Sequence, residues 1–312
     1  MEQIVPLILE SGRTAIDMAL YLLMPVMVVM LALMKLLEAK GVLAFVANAL
    51  SPLLRVFGIP GMGVFAIVKI LFVSFSAPVA TLAVMDKYGT ARRSIAATLA
   101  AVLTLSQANV VFPLAAVGLD LGIMMLTSVI GGLVAASATY YWFARQQVWQ
   151  DGSQDDQAVE AAKKTPKSIM QIMSDGGQEG IKIVISSIPL LILAICLVNV
   201  LKLTGAIEGI TWLLSPLLEL LALPEAAVLP IVTKFIAGGT AMMGVTLDLL
   251  DQGLLTVTDL NRIAGFAINP FDVVGVAIII SAGVRVRQVA KAAILGAAVG
   301  VLVRGVLHLL IF

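Results

Sequence analysis

Leu50-Ser51-Pro52-Leu53-Leu54 returns later in the chain as Leu214-Ser215-Pro216-Leu217-Leu218. At nearly the same distance after each copy a lysine interrupts an apolar run, Lys69 in VFAIVKILF and Lys234 in VLPIVTKFIA, with one residue inserted in the second copy. Duplication with a charge at matching apolar positions is the pattern of membrane proteins built from internal repeats. In secondary transporters of that kind the site lies where the repeats meet. Solute transport is therefore the leading expectation, with the site near the two lysines.

Composition sets the class. Of 312 residues, 60% are hydrophobic and 12% charged, against about 25% charged in a soluble domain. The apolar runs are about 20 residues long, the length of membrane-crossing helices, rather than the strands of roughly ten that build a barrel. The first run, Ala15 to Met34, follows acidic Glu2 and Glu10 and has no basic n-region, so a retained helix is expected rather than a cleaved leader. Cys196 is the single cysteine, so no disulfide or thiolate metal site forms within one chain. His308 is the single histidine and is expected at the membrane interface. With no Walker loop, no HExxH and no serine–histidine pair, neither an enzyme, a nucleotide motor, a cofactor nor a nucleic-acid partner is expected. The methionines are scattered through apolar runs and read as packing.

Two halves, 1–145 and 177–312, flank a polar linker, 146–176. Each half has the same order of elements: an unbroken helix (14–36, 182–201), a shorter amphipathic segment with LSPLL (41–57, 205–221), a stretch broken by small residues (61–86, 225–250), a helix broken near its middle (at 106–113 and 268–272), and a long closing helix (121–144, 289–311). If the third element of each half is a re-entrant hairpin, fourteen lysines and arginines fall on one side, among them Lys35, Arg92, Lys182 and Arg285. Four fall on the other: Arg13, Lys202, Arg262 and Arg304. Full crossings would blur that asymmetry. By the positive-inside rule the expectation is an inner-membrane, multi-pass protein with a cytoplasmic linker and both termini outside. Three crossings per half make the second repeat inverted relative to the first.

This order of elements, with LSPLL and its downstream Pro60 or Pro224, the hairpin lysines and the Gln107-Ala108-Asn109…Pro113 break, resembles the nucleoside-recognition or Gate domain superfamily. That group includes concentrative nucleoside transporters, the membrane part of ferrous-iron permeases and spore-maturation membrane proteins. The resemblance covers the chain outside 146–176. It implies an all-α membrane fold of two inverted repeats, a solute bound at hairpin tips and broken helices, and an elevator-like cycle of the hairpins.

Three constellations are candidates for binding. Lys69 and Lys234 would form a cationic site for an anionic group, or else each pairs with a carbonyl or carboxylate. Ser74, Ser76 and Pro78, with Gly238, Gly239 and Thr240, free backbone groups that lipid cannot satisfy. Ser106, Gln107 and Asn109, with Asn269, Pro270 and Asp272, bring amides, hydroxyls and one carboxylate to the helix breaks. Asp272 would neutralise a lysine, take a proton or ligate a cation. The expected function is secondary transport of a small polar solute, anionic or nucleoside-like, driven by its own gradient or coupled to sodium or protons, in a homodimer. The alternatives are a non-transporting scaffold or partner subunit, and a divalent-metal permease that would depend on Asp272 and methionines. On the sequence alone, Lys69→Ala or Lys234→Ala abolishes or retunes uptake while leaving folding intact; transport assays beside melting curves check it.

Overall fold

The computed structural model describes residues 4–145 and 168–312, apart from 206–208, 210, 211, 214, 215, 217 and 220. Among the described residues the fold is all-helical. Five helices are long and apolar enough to cross a membrane: Val5–Ala39, Arg92–Ala115, Leu121–Phe143, Ile169–Leu201 and Ala290–Ile311. The chain is a multi-pass membrane protein. A sixth expected crossing, broken at 268–272, consists of two helices of 11 and 8 residues, Val257–Ala267 and Val273–Ile280.

The first helix combines α1 (Ile4–Asp17) and α2 (Met24–Ala39) through a π-helical turn, Met18–Leu23. Its partner is α9 (Ile169–Leu203). Both outrun the expected 14–36 and 182–201. At 1.5 Å per residue a 35-residue helix such as α9 is about 50 Å long, beyond the ~30 Å of a hydrocarbon core. The last residues of the expected linker are thus helical; 146–167 lie outside the described residues. Glycines set the closeness of this pair. A Cβ on Gly180 would lie 2.9 Å from the Met27 carbonyl oxygen, and one on Gly176 would lie 2.6 Å from that of Leu31. Lys35 closes one end on Glu179 at 2.9 Å, and Asn199 donates to Ser11 Oγ at 3.0 Å toward the other.

The amphipathic helix α3 (Val42–Arg55) holds the first LSPLL copy, with Pro52 inside it. The second copy falls largely outside the described residues. Next comes a hairpin of α4 (Gly61–Phe72) and α5 (Ala77–Lys87), then the broken helix α6 (Arg92–Thr104) and α7 (Ala108–Ala115), then α8 (Leu121–Ala138), which ends in a π-helical turn. The second half repeats this order: hairpin α10 (Val228–Ala237) and α11 (Gly239–Asp251), broken helix α12 (Val257–Ala267) and α13 (Val273–Ile280), a five-residue α14 (Val284–Gln288), and α15 (Ala290–Ile311).

The α6–α7 span is buried from Ile95 to Leu114. Ala96, Ala97, Ala100 and Ala101 let its neighbours approach, the small-residue packing that replaces hydrophobic drive in a bilayer. Beside it α8 and α15 meet through Gly131 and Gly300, where either Cβ would stand within 2.9 Å of the other's carbonyl oxygen.

The loops gather at two ends. Arg93 Nε donates to the Tyr140 carbonyl and Tyr141 Oη to that of Val56, each at 2.6 Å, so the chain enters and leaves hairpin α4–α5 at one end. The turn before α14 joins that end: Asp86 accepts from Val284 N and Arg285 N. At the opposite end Arg262 Nη2 donates to the Leu221 carbonyl, just before hairpin α10–α11, and Asn261 bridges to Gly118 O and Asp120 N.

Two sequence expectations are corrected. His308 is fully buried, bonded through Nε2 to Thr127 Oγ1 at 2.8 Å and through Nδ1 to the Asn261 carbonyl at 2.6 Å, because α15 turns that face toward α8 and α12. Arg304, counted among outer-loop charges, is equally buried and donates to the Thr104 carbonyl at 2.7 Å, the last of α6. A cation at a helix C-terminus answers both the free carbonyl and the negative dipole end.

Gly180→Leu would force α2 and α9 apart, an overpacking worth about 1–3 kcal/mol. A lowered melting temperature of the detergent-purified protein is expected, with Gly12→Ala, which meets nothing within 4 Å, melting as wild type.

Candidate functional site

Four interruptions of helix meet in the middle of the molecule. The hairpin breaks are Val73–Ser76 and Gly238; the helix breaks are Leu105–Gln107 and Ile268–Asp272. Each leaves main-chain groups without a helical partner, and each is followed by a helix whose N-terminal end, α5, α7, α11 or α13, carries free N–H groups and the positive end of a dipole.

The breaks are tied to one another. Asn109 Oδ1 accepts from the Phe75 main-chain N–H at 3.3 Å, joining the first helix break to the first hairpin. Gln107 Nε2 donates to the Asn269 carbonyl at 3.3 Å, joining the two helix breaks. That carbonyl also accepts from Lys234 Nζ at 2.5 Å, which brings in the second hairpin. Lys234 is fully buried and ion-paired with Asp272 Oδ2, while Asp272 Oδ1 caps α13 through Gly275 N at 2.7 Å. At Gly238 the backbone is left-handed, with φ of 86°, and only glycine turns the tip there without strain. Gly239 sits so close to Gln107 that an added Cβ would overlap its amide nitrogen.

A cavity of about 530 Å³ opens among these breaks. Of the residues singled out from sequence, Ser74, Ser76, Gln107, Asn109, Gly238, Gly239, Thr240, Pro270 and Asp272 line it. Four do not. Lys69 donates to Thr81 Oγ1 at 3.2 Å, on the other limb of its own hairpin. Lys234 lies behind Asp272. Asn269 spends its side chain stapling the break, donating to the Phe266 carbonyl and accepting from Phe271 N. Ser106 is buried, its main-chain N–H given to Ser128 Oγ at 2.6 Å. Neither lysine lines the cavity; for Lys234, burying an ammonium next to an available carboxylate favours pairing over an open position.

One wall escaped the sequence reading. Glu179, Lys182, Ser186 and Ser187 of α9 complete the cavity. The adjacent serines in an otherwise apolar run were the available signal, masked because an unbroken helix reads as scaffold. Apart from the mutually compensating Asp272–Lys234 and Glu179–Lys35 pairs and the ammonium of Lys182, the lining is apolar carbon with hydroxyls and amides that both donate and accept. Such a surface suits a polar solute rich in hydrogen-bonding groups.

Residues 20–135 match the family model described as Gate, nucleoside recognition. Spore maturation protein B of Bacillus subtilis is 37% identical over 76 residues, which is 24% of this chain and 42% of that protein; the match thus spans less than half of the curated relative. Among solved structures, the concentrative nucleoside transporter CNTnw in an inward-facing substrate-bound state is similar with a TM-score of 0.69 at 17% identity, over 92% of this chain and 73% of that one. A doubly substituted CNTnw in an outward-facing state gives the same values. The expected resemblance to these proteins holds, and the fold is that of CNTnw.

Gly239→Ala pushes the Gln107 amide out of the break. A thermal-shift measurement should show destabilisation in this variant, and Gly239→Ala/Gln107→Ala, which removes the amide, should recover part of the loss.

Proposed function

We propose that this protein is a secondary transporter of a small polar, nucleoside-like solute, bound between the two hairpin tips and the two helix breaks. The observation that carries the proposal is the cavity in which all four breaks converge. A structural bundle has no use for irregular backbone at that depth, whereas a carrier needs polar groups there and is one of the few settings where lipid-inaccessible irregular backbone is tolerated. Of the two solute classes expected from sequence, the nucleoside-like is preferred because Asp272 compensates Lys234, with Lys182 on the α9 wall placed to meet an acceptor on the solute. The breadth of the lining suits a ring flanked by hydroxyls and carbonyls.

The remaining parts of the proposal rest on the same frame. Residues 1–145 and 177–312 act as inverted repeats about the linker 146–176, a reading supported by hairpins that enter and leave at opposite ends. The long helices α2 and α9 serve as the fixed wall against which the hairpins move in an elevator-like cycle, within a homodimer. The driving force is the solute gradient or coupled sodium or protons. The linker is cytoplasmic and both termini are outside the inner membrane. A divalent-metal permease, which would depend on Asp272 and methionines, is a further alternative. The spore-maturation relative keeps a scaffold role as the competing reading.

The test is uptake into proteoliposomes of labelled nucleosides, with carboxylates and phosphorylated metabolites alongside. Nucleoside uptake is expected, falling about tenfold in Gln107→Ala or Asn109→Ala, the worth of a hydrogen bond of about 1.4 kcal/mol. Accumulation of anionic solutes alone would reassign the substrate class. No uptake of any solute, with cavity variants that behave as wild type in cells, would favour the scaffold.

A further inference from the structure

The Asn269 carbonyl lies in the unwound stretch between α12 and α13, and Asp272 closes that stretch. Together they present a main-chain oxygen and a carboxylate oxygen to one point, fully enclosed, where hairpin α10 packs against the break. An unwound carbonyl at the C-terminal end of a half-helix, next to a carboxylate, is the donor set that discontinuous membrane helices offer to a monovalent cation. Here the position is filled from within. Lys234 Nζ donates to the Asn269 carbonyl at 2.5 Å and pairs with Asp272 Oδ2.

We infer that Lys234 is an internal cation: its ammonium takes the place of a bound alkali ion between the second hairpin and the second helix break, and removing it opens a sodium site. Three features carry this beyond an ordinary buried ion pair. The ammonium bonds to a main-chain oxygen as well as to the carboxylate, so it serves a coordination shell and not only a charge. The shell's other interactions are already in place without the lysine, since Asp272 Oδ1 is fixed by Gly275 N at 2.7 Å and the Asn269 carbonyl by Gln107 Nε2 at 3.3 Å. The oxygens would therefore stay gathered for a replacement ion. The lysine also comes from a different element than its partners, α10 against the 268–272 stretch, so it pins hairpin to break as a bridging ion would. Its counterpart Lys69 donates to Thr81 Oγ1 within its own hairpin, so the two halves use their lysines differently.

The inference is tested on the full-length, detergent-purified chain by melting in sodium chloride and in choline chloride at equal ionic strength, with no solute present. Lys234→Ala is expected to melt below wild type in choline and to regain part of the loss in sodium. Lys234→Ala/Asp272→Asn, which lacks the carboxylate, is expected to melt alike in both salts. Sodium indifference of Lys234→Ala overturns the inference. So does a sodium-dependent shift in wild type that Asp272→Asn removes, because a free ion would then share the position with the lysine. If Lys234→Ala fails to accumulate in membranes, the double variant is expected to accumulate where the single does not; a double variant no better than the single refutes compensation as the lysine's role. The readout requires no transported solute, so a chain that carries nothing across the membrane would refute the proposed function and leave this inference standing.

Discussion

Main-chain groups that leave a helix inside a bilayer must find partners in the protein, since lipid offers none and each unmet group costs several kcal/mol. This chain leaves helix at four places, and the four meet that demand largely for one another. Asn109 takes the Phe75 N–H, the Asn269 carbonyl serves both Gln107 and Lys234, and Asp272 caps α13. Mutual satisfaction requires the breaks to converge. The cavity is a consequence, and Gln107, Asn109 and Asp272, which repair the backbone, supply polar groups to its otherwise largely apolar lining.

Convergence depends in turn on how closely the helices can approach. Alanines along the buried α6 and glycines at the α8–α15 crossing bring backbones together in the centre, while Gly176 and Gly180 do so for α2 and α9. The cavity opens between these two groups of helices, with α9 supplying one wall and the breaks the others. Gly244 of α11, packed on Leu191 of α9, is a contact between the second hairpin and that wall.

The buried charges show two ways to hold a cation away from water. Lys234 has a carboxylate and a carbonyl. Arg304 has the terminal carbonyl of α6 and the thioether of Met124, so it is held by a helix end. Both sit beside a break, and both are tied to its main chain. Removing either partner of such an arrangement leaves an uncompensated polar group in the interior, which is far more costly than the pair is worth. Lys234→Ala would leave Asp272 in that position, a cost to stability that the sequence alone did not show, since the lysine stands behind the cavity lining.

The sequence by itself determined the membrane-helical class, the order of elements and the location of all four breaks. Those follow from local rules: apolar run length, and the refusal of Ser74–Pro78, Gly238-Gly239 and Asn269-Pro270 to continue a helix. It could also list nine of the cavity-lining residues, because a break is visible in one dimension. Only the tertiary structure decided which groups face the cavity and which stand behind it. Asn269 and Asp272 are three residues apart, yet the first turns its side chain to its own backbone and the second lines the cavity while closing on Lys234. The burial of His308 and Arg304, and the α9 wall with Ser186 and Ser187, were equally hidden. A helix that carries no break gives no sign of which face it will turn toward a site, and an ionisable side chain near a helix end reads alike whether it reaches water or a neighbouring carbonyl. Facing and pairing are settled by packing between distant segments, where burial penalties select one partner from several that the sequence allows.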